Sequence, residues 1–330
     1  MKRYVIDGIF LTRELTGTQR FARETVSVLD RDPELVQRLE ILVPENAEVT
    51  DPPAHIPVVR FGRRRGRNWQ QLDLPRYLKM RGAEGLYLEN TMSLRYPRGV
   101  IVLHDVILRA RPEYFRGSLR GILYILWRRI LYRRIACSGM PVLTVSEFSK
   151  SEIMKYYGIA PSRIRVLCNG WQHMERIGTD ETALFSRVPE LAGRPYLFFL
   201  SSLMPHKNVD YVLRAARKNP ELFFVMGGGA GSDRTTAAKF DARAAAPGSG
   251  ASSPGASSPG ALPPNVLPAG YLRDTEIKTL MKHCEAFLFP SLYEGFGIPP
   301  LEAAAAGAPR LILSDIPVLR EICGEAHCCI

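Results

Sequence analysis

The chain has 330 residues, 46% of them hydrophobic, and a formal net charge of +11. That composition supports one large core or two ordinary ones and excludes collagen-like, coiled-coil and globally disordered classes. No stretch approaches the roughly 20 apolar residues that span a bilayer. The opening run MKRYVIDGIF carries Asp7 inside its apolar segment, which suits a buried first strand better than a secretory leader. A cytoplasmic protein is expected, peripheral at most on the inner face of the cell membrane.

In chain order, apolar runs of strand length alternate with helical stretches. Strands are predicted over residues 4–10, 41–43, 85–88, 100–103, 141–145 and 163–167, with helices such as 19–29 and 149–157 between them. A polar stretch around residues 175–181 ends this series. A second set of strands follows at 196–200, 222–226, 265–267, 286–289 and 310–313. The pattern predicts an α/β fold of two doubly wound Rossmann-like domains, residues 1–175 and 176–330, facing a cleft at the strand C-termini. Residues 244–264, built almost wholly from Ala, Gly, Ser and Pro, cannot repay their ordering entropy and are expected to form a mobile surface loop.

The six cysteines form no Cys-x-x-Cys pair. The group Cys323, His327, Cys328 and Cys329 fits no common zinc spacing, so reduced thiols and no metal are expected. Residues 57–134 hold seventeen arginines and one lysine against five acids, a net +13, leaving −2 for the rest of the chain. The basic excess therefore marks one surface rather than the whole molecule.

The chemistry concentrates near the end, in YEGFGIPPLEAAAAGAP, residues 293–309. Pro299 and Pro300 suit the first positions of a helix and Gly307 its end. Gly295 and Gly297 allow a tight turn with bare amides, and amides at a helix N-terminus attract an anion. Glu294 on the loop and Glu302, expected in the first turn, flank that site. Two carboxylates around an anion site make sense if they grip hydroxyls at either end of a ligand whose middle is phosphate. A nucleoside diphosphate sugar has that layout. The bland reading, acids that only offset a helix dipole, leaves the Phe296-Gly297 turn unexplained.

This stretch resembles the Glu-x7-Glu signature of retaining GT-B glycosyltransferases, family 4. The resemblance extends over most of the chain. Ser202-Leu-Met-Pro-His-Lys-Asn208 is similar to the phosphate loop of the nucleotide-binding domain, and NVLPAGYLRDTEIKTLMKHCEAFLFPS to the segment from the base-binding turn to the signature strand. TGTQRFARE, LHDVILRARPEYF, TVSEFSKSEI and VLCNGW resemble landmarks of the acceptor domain and the domain junction. The resemblance implies that Lys207 neutralises the diphosphate, Glu302 holds the ribose, Glu294 holds the transferred sugar, and the amides of Gly295, Phe296, Gly297 and Ile298 lie nearby. The backbone around Gly270 and Tyr271 would hold the base. Where many members carry an arginine beside the lysine, this chain has Ser202, with Arg273 or Arg20 as substitutes to be located. It also stops at Ile330, short of the family's terminal crossover helix.

In the first half, Gly17 opens a helix after the first strand, and His104 ends a strand with Asp105 following. His104 is expected to polarise a donor or acceptor hydroxyl, with a buried His–Asp pair as the structural alternative. GGGAGS, residues 227–232, lacks the last glycine of a dinucleotide fingerprint, and no P-loop occurs. These glycines suit close approach to a donor diphosphate. A helix over 118–136 is expected to bury Leu119, Ile122, Leu123, Leu126 and Ile130 while its arginines ring the rest. Nucleic acid is consistent with the basic region. An anionic membrane surface, met through residues 63–67 (Arg63 to Arg67) and 116–134 (Arg116 to Arg134), is favoured by Trp127 and the tyrosines, and no nucleic acid is expected.

The expected function is metal-independent transfer of a hexose or deoxyhexose, with retention, from a nucleotide diphosphate sugar to a saccharide acceptor. No cofactor beyond that donor substrate is implied. GDP-mannose is the first choice of donor, with dTDP-rhamnose and UDP-sugars open. A lipid-linked acceptor in cell-surface polysaccharide or lipopolysaccharide synthesis is expected. The alternatives are a catalytically silent GT-B partner subunit and a basic RNA-binding protein.

Overall fold

The computed structural model describes residues 2–116, 118–228, 262–324 and 328–329. The chain divides into two compact units, Met1–Gly170 and Trp171–Ile330. The division comes ahead of the expected boundary at residue 175. Residues just after Gly170 are tied to the second unit: Lys278 Nζ donates to the carbonyls of Met174, at 2.7 Å, and Ile177, at 2.5 Å.

The first unit is built on seven parallel strands: β1 (Tyr4–Asp7), β2 (Leu39–Val43), β3 (Val58–Arg60), β4 (Glu84–Tyr87), β5 (Gly99–Leu103), β6 (Val142–Thr144) and β7 (Ile164–Val166). Their order is β3-β2-β1-β4-β5-β6-β7. Because β1 lies between β2 and β4, the connections leaving β1 and β4 diverge at their C-terminal ends, making a topological switch point. The strand predicted over residues 4–10 stops at Asp7. The Asp7 carboxylate accepts from the Ile9 amide at 3.3 Å and caps a 3₁₀ turn, Gly8–Thr12. Gly8 lies so close to β2 that a Cβ would sit 2.5 Å from Ile41 Cγ2.

The second unit carries β8 (Leu197–Leu200), β9 (Phe224–Gly227), β10 (Val266–Gly270), β11 (Ala286–Phe289), β12 (Leu311–Leu313) and β13 (Cys328–Cys329), also parallel. Their order, β10-β9-β8-β11-β12-β13, puts the switch point between β8 and β11. All four residues of β9 and of β11 are buried, as strands covered on both faces require. Phe198, Phe199, Phe224, Phe287 and Phe289 are fully enclosed, each contributing on the order of 1.5–3 kcal/mol of burial.

Two expectations need correction here. Gly227 and Gly228 answer to packing rather than to a ligand: a Cβ on Gly227 would meet Leu272 Cδ1 at 2.3 Å. A Cβ on Gly228, whose φ is +103°, would meet the Ser201 carbonyl at 2.4 Å. The rest of that glycine run lies outside the described residues, as do residues 244–261 of the expected loop. Its last part is ordered, with Leu262 against the core cluster that includes Phe199 and Val209.

The helix at Leu119–Cys137 forms where expected but turns the other way. It buries Ile125, Arg128, Leu131, Tyr132 and Ile135. Leu119, Ile122, Leu123, Leu126 and Ile130, expected inside, are all exposed. Arg128 accounts for the orientation. Its guanidinium bonds the Asn90 carbonyl and the Tyr132 hydroxyl and stacks over the Tyr132 ring at 4.7 Å. A buried cation needs such partners, and they occur on that side.

Candidate donor site and the polar cluster of the first unit

β11 ends at Phe289, and the chain leaves it through Pro290 to Gly297 before the helix Ile298–Ala306. Phe296 is buried and anchors the turn. Gly297 then takes φ +84° at the helix N-cap, where a Cβ would fall 2.7 Å from Leu319 Cδ2. Only glycine meets both conditions. Gly307 ends the helix at φ +91°, its amide donating to Ala303 and Ala304. Ala303 is fully buried, so the helix lies close to its neighbours.

The loop after β8 approaches the same place. The Leu292 amide donates to the His206 carbonyl at 2.7 Å, joining the two loops through backbone. Asn208 adopts φ +56° at the start of the helix Val209–Lys218, a left-handed geometry that asparagine tolerates. Just before it, Lys207 points its ammonium at Glu294: Nζ lies 2.5 Å from Oε1, with both side chains mostly covered. The same ammonium sits 5.5 Å from the Phe289 ring centroid. A cation and a carboxylate from the two diverging loops thus meet at the switch point.

Glu302 stands one turn further into its helix than expected, and the first turn holds no acid. Offsetting the helix dipole is therefore not its task, since that effect fades within the first turn. It is buried, and its Oε1 lies 2.8 Å from His173 Nε2, also buried. His173 Nδ1 is enclosed without a hydrogen-bond partner among the described residues. His173 had no signal of its own in the sequence; it follows the VLCNGW stretch and would need the fold to be linked to a residue 129 positions on.

The remaining donor-side residues are placed as follows. Ser202 is exposed on the loop after β8, its carbonyl accepting from Ser201 Oγ. Arg273 pairs with Glu276 of the helix it precedes at 3.5 Å and with Asp180, the cap of the helix Glu181–Arg187, at 3.8 Å. Arg20 belongs to the first unit. Gly270 takes φ +67° at an irregularity of β10, and its carbonyl accepts from the Gly228 amide. The Tyr271 carbonyl accepts from Arg187 at 3.0 Å while its ring is exposed. Each of those carbonyls thus accepts one hydrogen bond within the protein, and the half-exposed Tyr271 side chain adds an aromatic surface there.

In the first unit, His104 is buried and its Nε2 lies 2.9 Å from the Leu88 carbonyl. That bond makes Nε2 the protonated nitrogen, and burial pushes the imidazole pKa below its usual value. Asp105 is not its partner: Asp105 Oδ1 caps the Ile107 amide and Oδ2 faces Asn90. The expected His–Asp pair is corrected on this point: the imidazole is held by the Leu88 carbonyl instead. Phe21, from the helix Gly17–Leu29, packs edge-on against the imidazole at 4.8 Å. Gly17 opens that helix, and a Cβ there would meet nothing within 4 Å, so no packing in the chain requires glycine.

The unit's switch point holds a cluster that the sequence reading did not use. Asp7, at the end of β1, accepts from Gln70 Nε2 at 2.7 Å. Glu89, after β4, accepts from Gln19 and faces Arg13 at 3.6 Å. Burial, with help from Glu89, pushes the Asp7 carboxyl up to about 7, and burial raises Glu89 as well. The signal was present: Asp7 interrupts an apolar strand.

Among the described residues no group of three or more His, Cys, Asp or Glu side chains could hold a metal, and no helix is long and apolar enough to cross a membrane. Of the cysteine group near the C-terminus, His327 lies outside the described residues.

Residues 261–329 match the family described as Glycosyl transferases group 1. Over 240 residues the chain is 25% identical to O-antigen chain mannosyltransferase B of Escherichia coli, covering 70% of this chain and 57% of that protein. The chain thus spans little more than half of that relative's length. Among solved structures, Anabaena Alr3699/HepE in complex with UDP-glucose aligns with TM-score 0.62 and 17% identity over 97% of this chain and 82% of that one. WaaG, a glycosyltransferase involved in lipopolysaccharide biosynthesis, aligns with TM-score 0.60 and 16% identity over 96% and 81%. The match to glycosyl transferases group 1 thus lies within the second unit, over residues 261–329, on a chain whose fold is that of the GT-B glycosyltransferases.

Proposed function

We propose that this chain is a hexosyltransferase that moves mannose, with retention, from GDP-mannose to a saccharide acceptor in O-antigen or related cell-surface polysaccharide synthesis. The observation that carries the reading is the meeting of Lys207 and Glu294 at the β8/β11 switch point, on the loop that leads into the helix bearing the buried Glu302. The mannosyl preference rests on the E. coli relative's name, and the nucleotide-sugar donor is consistent with UDP-glucose on the HepE structure.

In this reading the donor diphosphate competes with Glu294 for Lys207, a compact cation on a flexible stem. The amides of Gly295 to Ile298 offer it further donors. Glu294, released from the lysine, accepts hydrogen bonds from sugar hydroxyls, and Glu302 accepts from the ribose. The Tyr271 ring offers the base a stacking face. As the bond from the anomeric carbon to the phosphate oxygen breaks, charge grows on that oxygen, where Lys207 stabilises it. The acceptor oxygen attacks the same face and gives its proton to the departing phosphate. The reading routes transfer through no covalent carboxylate nucleophile.

Release of GDP from GDP-mannose, with and without saccharide acceptors, tests the reading. Turnover by the wild type and its loss in Glu294→Gln support it. Wild-type turnover in that variant, or binding of the sugar nucleotide with no turnover toward any acceptor, argues for a silent binding subunit.

A further inference from the structure

The Leu119–Cys137 helix is apolar on two opposite sides, and only one of them is used. Its inner side packs through Ile125, Leu131, Tyr132 and Ile135. The outer side presents Leu119 (72% exposed), Ile122, Leu123 (58%), Leu126 and Ile130 (58%). At 100° per residue these five span about 100° of the helix circumference. At the same spacing Arg120 and Arg134 fall beyond one edge of the stripe and Arg129 beyond the other, with Arg133 inside its arc near the C-terminal end. The helix contains no acidic residue. Arg67 stacks over Trp127 at 5.2 Å and Tyr124 at 5.8 Å, which brings the basic segment 63–67 against the same helix.

An aliphatic centre with an arginine rim suits a boundary that is apolar in depth and anionic at its surface. We propose that this face is an in-plane docking surface for an anionic lipid bilayer, with the leucine and isoleucine side chains entering the acyl boundary and the arginines meeting headgroup phosphates. The arginine stems can lie along apolar surface while their heads stay with phosphate. Nucleic acid would satisfy the arginines and leave five aliphatic side chains in water. A protein partner would need a surface with acids ringing an apolar groove. The proposal deepens the transferase reading, because it places the enzyme where a lipid-linked acceptor would be, and it is tested separately from that reading.

The experiment is sedimentation of the full chain with vesicles of phosphatidylcholine alone or with 30% phosphatidylglycerol (~30%, a composition giving a negative surface potential), read together with Trp127 fluorescence. The wild type is expected to bind the anionic vesicles at least ten times better than the neutral ones, with a blue shift that Trp127→Phe removes. Leu123→Glu/Leu126→Glu, at exposed positions, is expected to lose binding at least tenfold while keeping its melting temperature and its turnover of GDP-mannose. Arg120→Gln/Arg133→Gln/Arg134→Gln should lose roughly a hundredfold. Glu294→Gln should bind vesicles like the wild type, so failure of the transferase reading would not mimic failure of this one. Unchanged binding in the leucine variant overturns the proposal. So does a wild type that ignores vesicles and either self-associates through the stripe or binds RNA instead.

Discussion

Lys207 Nζ lies 2.5 Å from Glu294 Oε1, so the loop leaving β8 and the loop leaving β11 are joined by an ion pair across the switch point of the second unit. The residues are 87 positions apart in sequence. Under the proposed roles, a lysine on phosphate and a carboxylate on sugar that meet this closely cannot act independently.

Lys207→Ala is therefore expected to reduce turnover of the sugar nucleotide by about 10²–10³-fold, the scale for loss of one group that stabilises developing charge. The double variant Lys207→Ala/Glu294→Ala should fall well short of the product of the single effects. Steady-state kinetics on the four proteins check this. Multiplicative losses would mean that the pair is not a functional unit.

His173 holds Glu302 from a segment just past the unit boundary, Nε2 to Oε1 at 2.8 Å. His173→Phe removes a buried donor from a carboxylate, a loss of roughly 1–3 kcal/mol. Beyond that lower melting temperature, the donor KM is expected to rise more than kcat falls, because the ribose contact loses its alignment. His173→Gln, which keeps an N–H donor, should recover most of the KM. Equal changes in kcat and KM with no rescue would reduce His173 to a packing role.

Gly297 and Gly17 differ in what surrounds them. Gly297→Ala places a Cβ 2.7 Å from Leu319 Cδ2 at φ +84°, so about 2–4 kcal/mol of destabilisation is expected from left-handed strain and the clash together. Adding Leu319→Ala should relieve only the clash. Gly17→Ala meets nothing within 4 Å and should leave stability within about 0.5 kcal/mol of the wild type or better, while impairing transfer if its open space serves a substrate. Thermal melts and transfer assays on the three proteins distinguish the cases.

What was legible in the sequence follows the strength of local punctuation. Pro299, Pro300 and Gly307 bracket the signature helix almost to the residue, and strands such as Ala286–Phe289 stand out as short apolar runs. Glu294 and Lys207 were both named, but their contact is a tertiary fact between separate loops. The outward face of the Leu119–Cys137 helix was unreadable because apolar residues occupy both sides. The choice fell to Arg128, whose partners Asn90 and Tyr132 are visible only in the fold. His104 was placed at a strand end, but the Leu88 carbonyl that holds it gives no sequence signal. β3, three residues long and only partly buried, lacks the apolar run that would mark it.

The Asp7 carboxyl titrates near 7 in the folded protein against 3.8 for an ordinary aspartate, because burial disfavours its charge. The folded state keeps the proton over a range where the unfolded chain has lost it. Stability from this group therefore falls as pH rises from about 4 to 7, by at most about 1.4 kcal/mol per pH unit, and is flat above. His104, lowered by burial, acts oppositely below its ordinary value of 6.5. Comparing wild type with Asp7→Asn isolates the aspartate: the difference in unfolding free energy should change steadily between pH 4 and 7 and level off above. A difference independent of pH would show that Asp7 is ionised throughout.

The most direct test of the central claim is a crystal structure of the chain with GDP bound. The account predicts ribose hydroxyls within hydrogen-bond distance of Glu302, the diphosphate on Lys207 and the amides between Gly295 and Ile298, and Glu294 turned away from the lysine. GDP lodged elsewhere, or held with the Lys207–Glu294 pair intact and Glu302 still bonded only to protein, would contradict it.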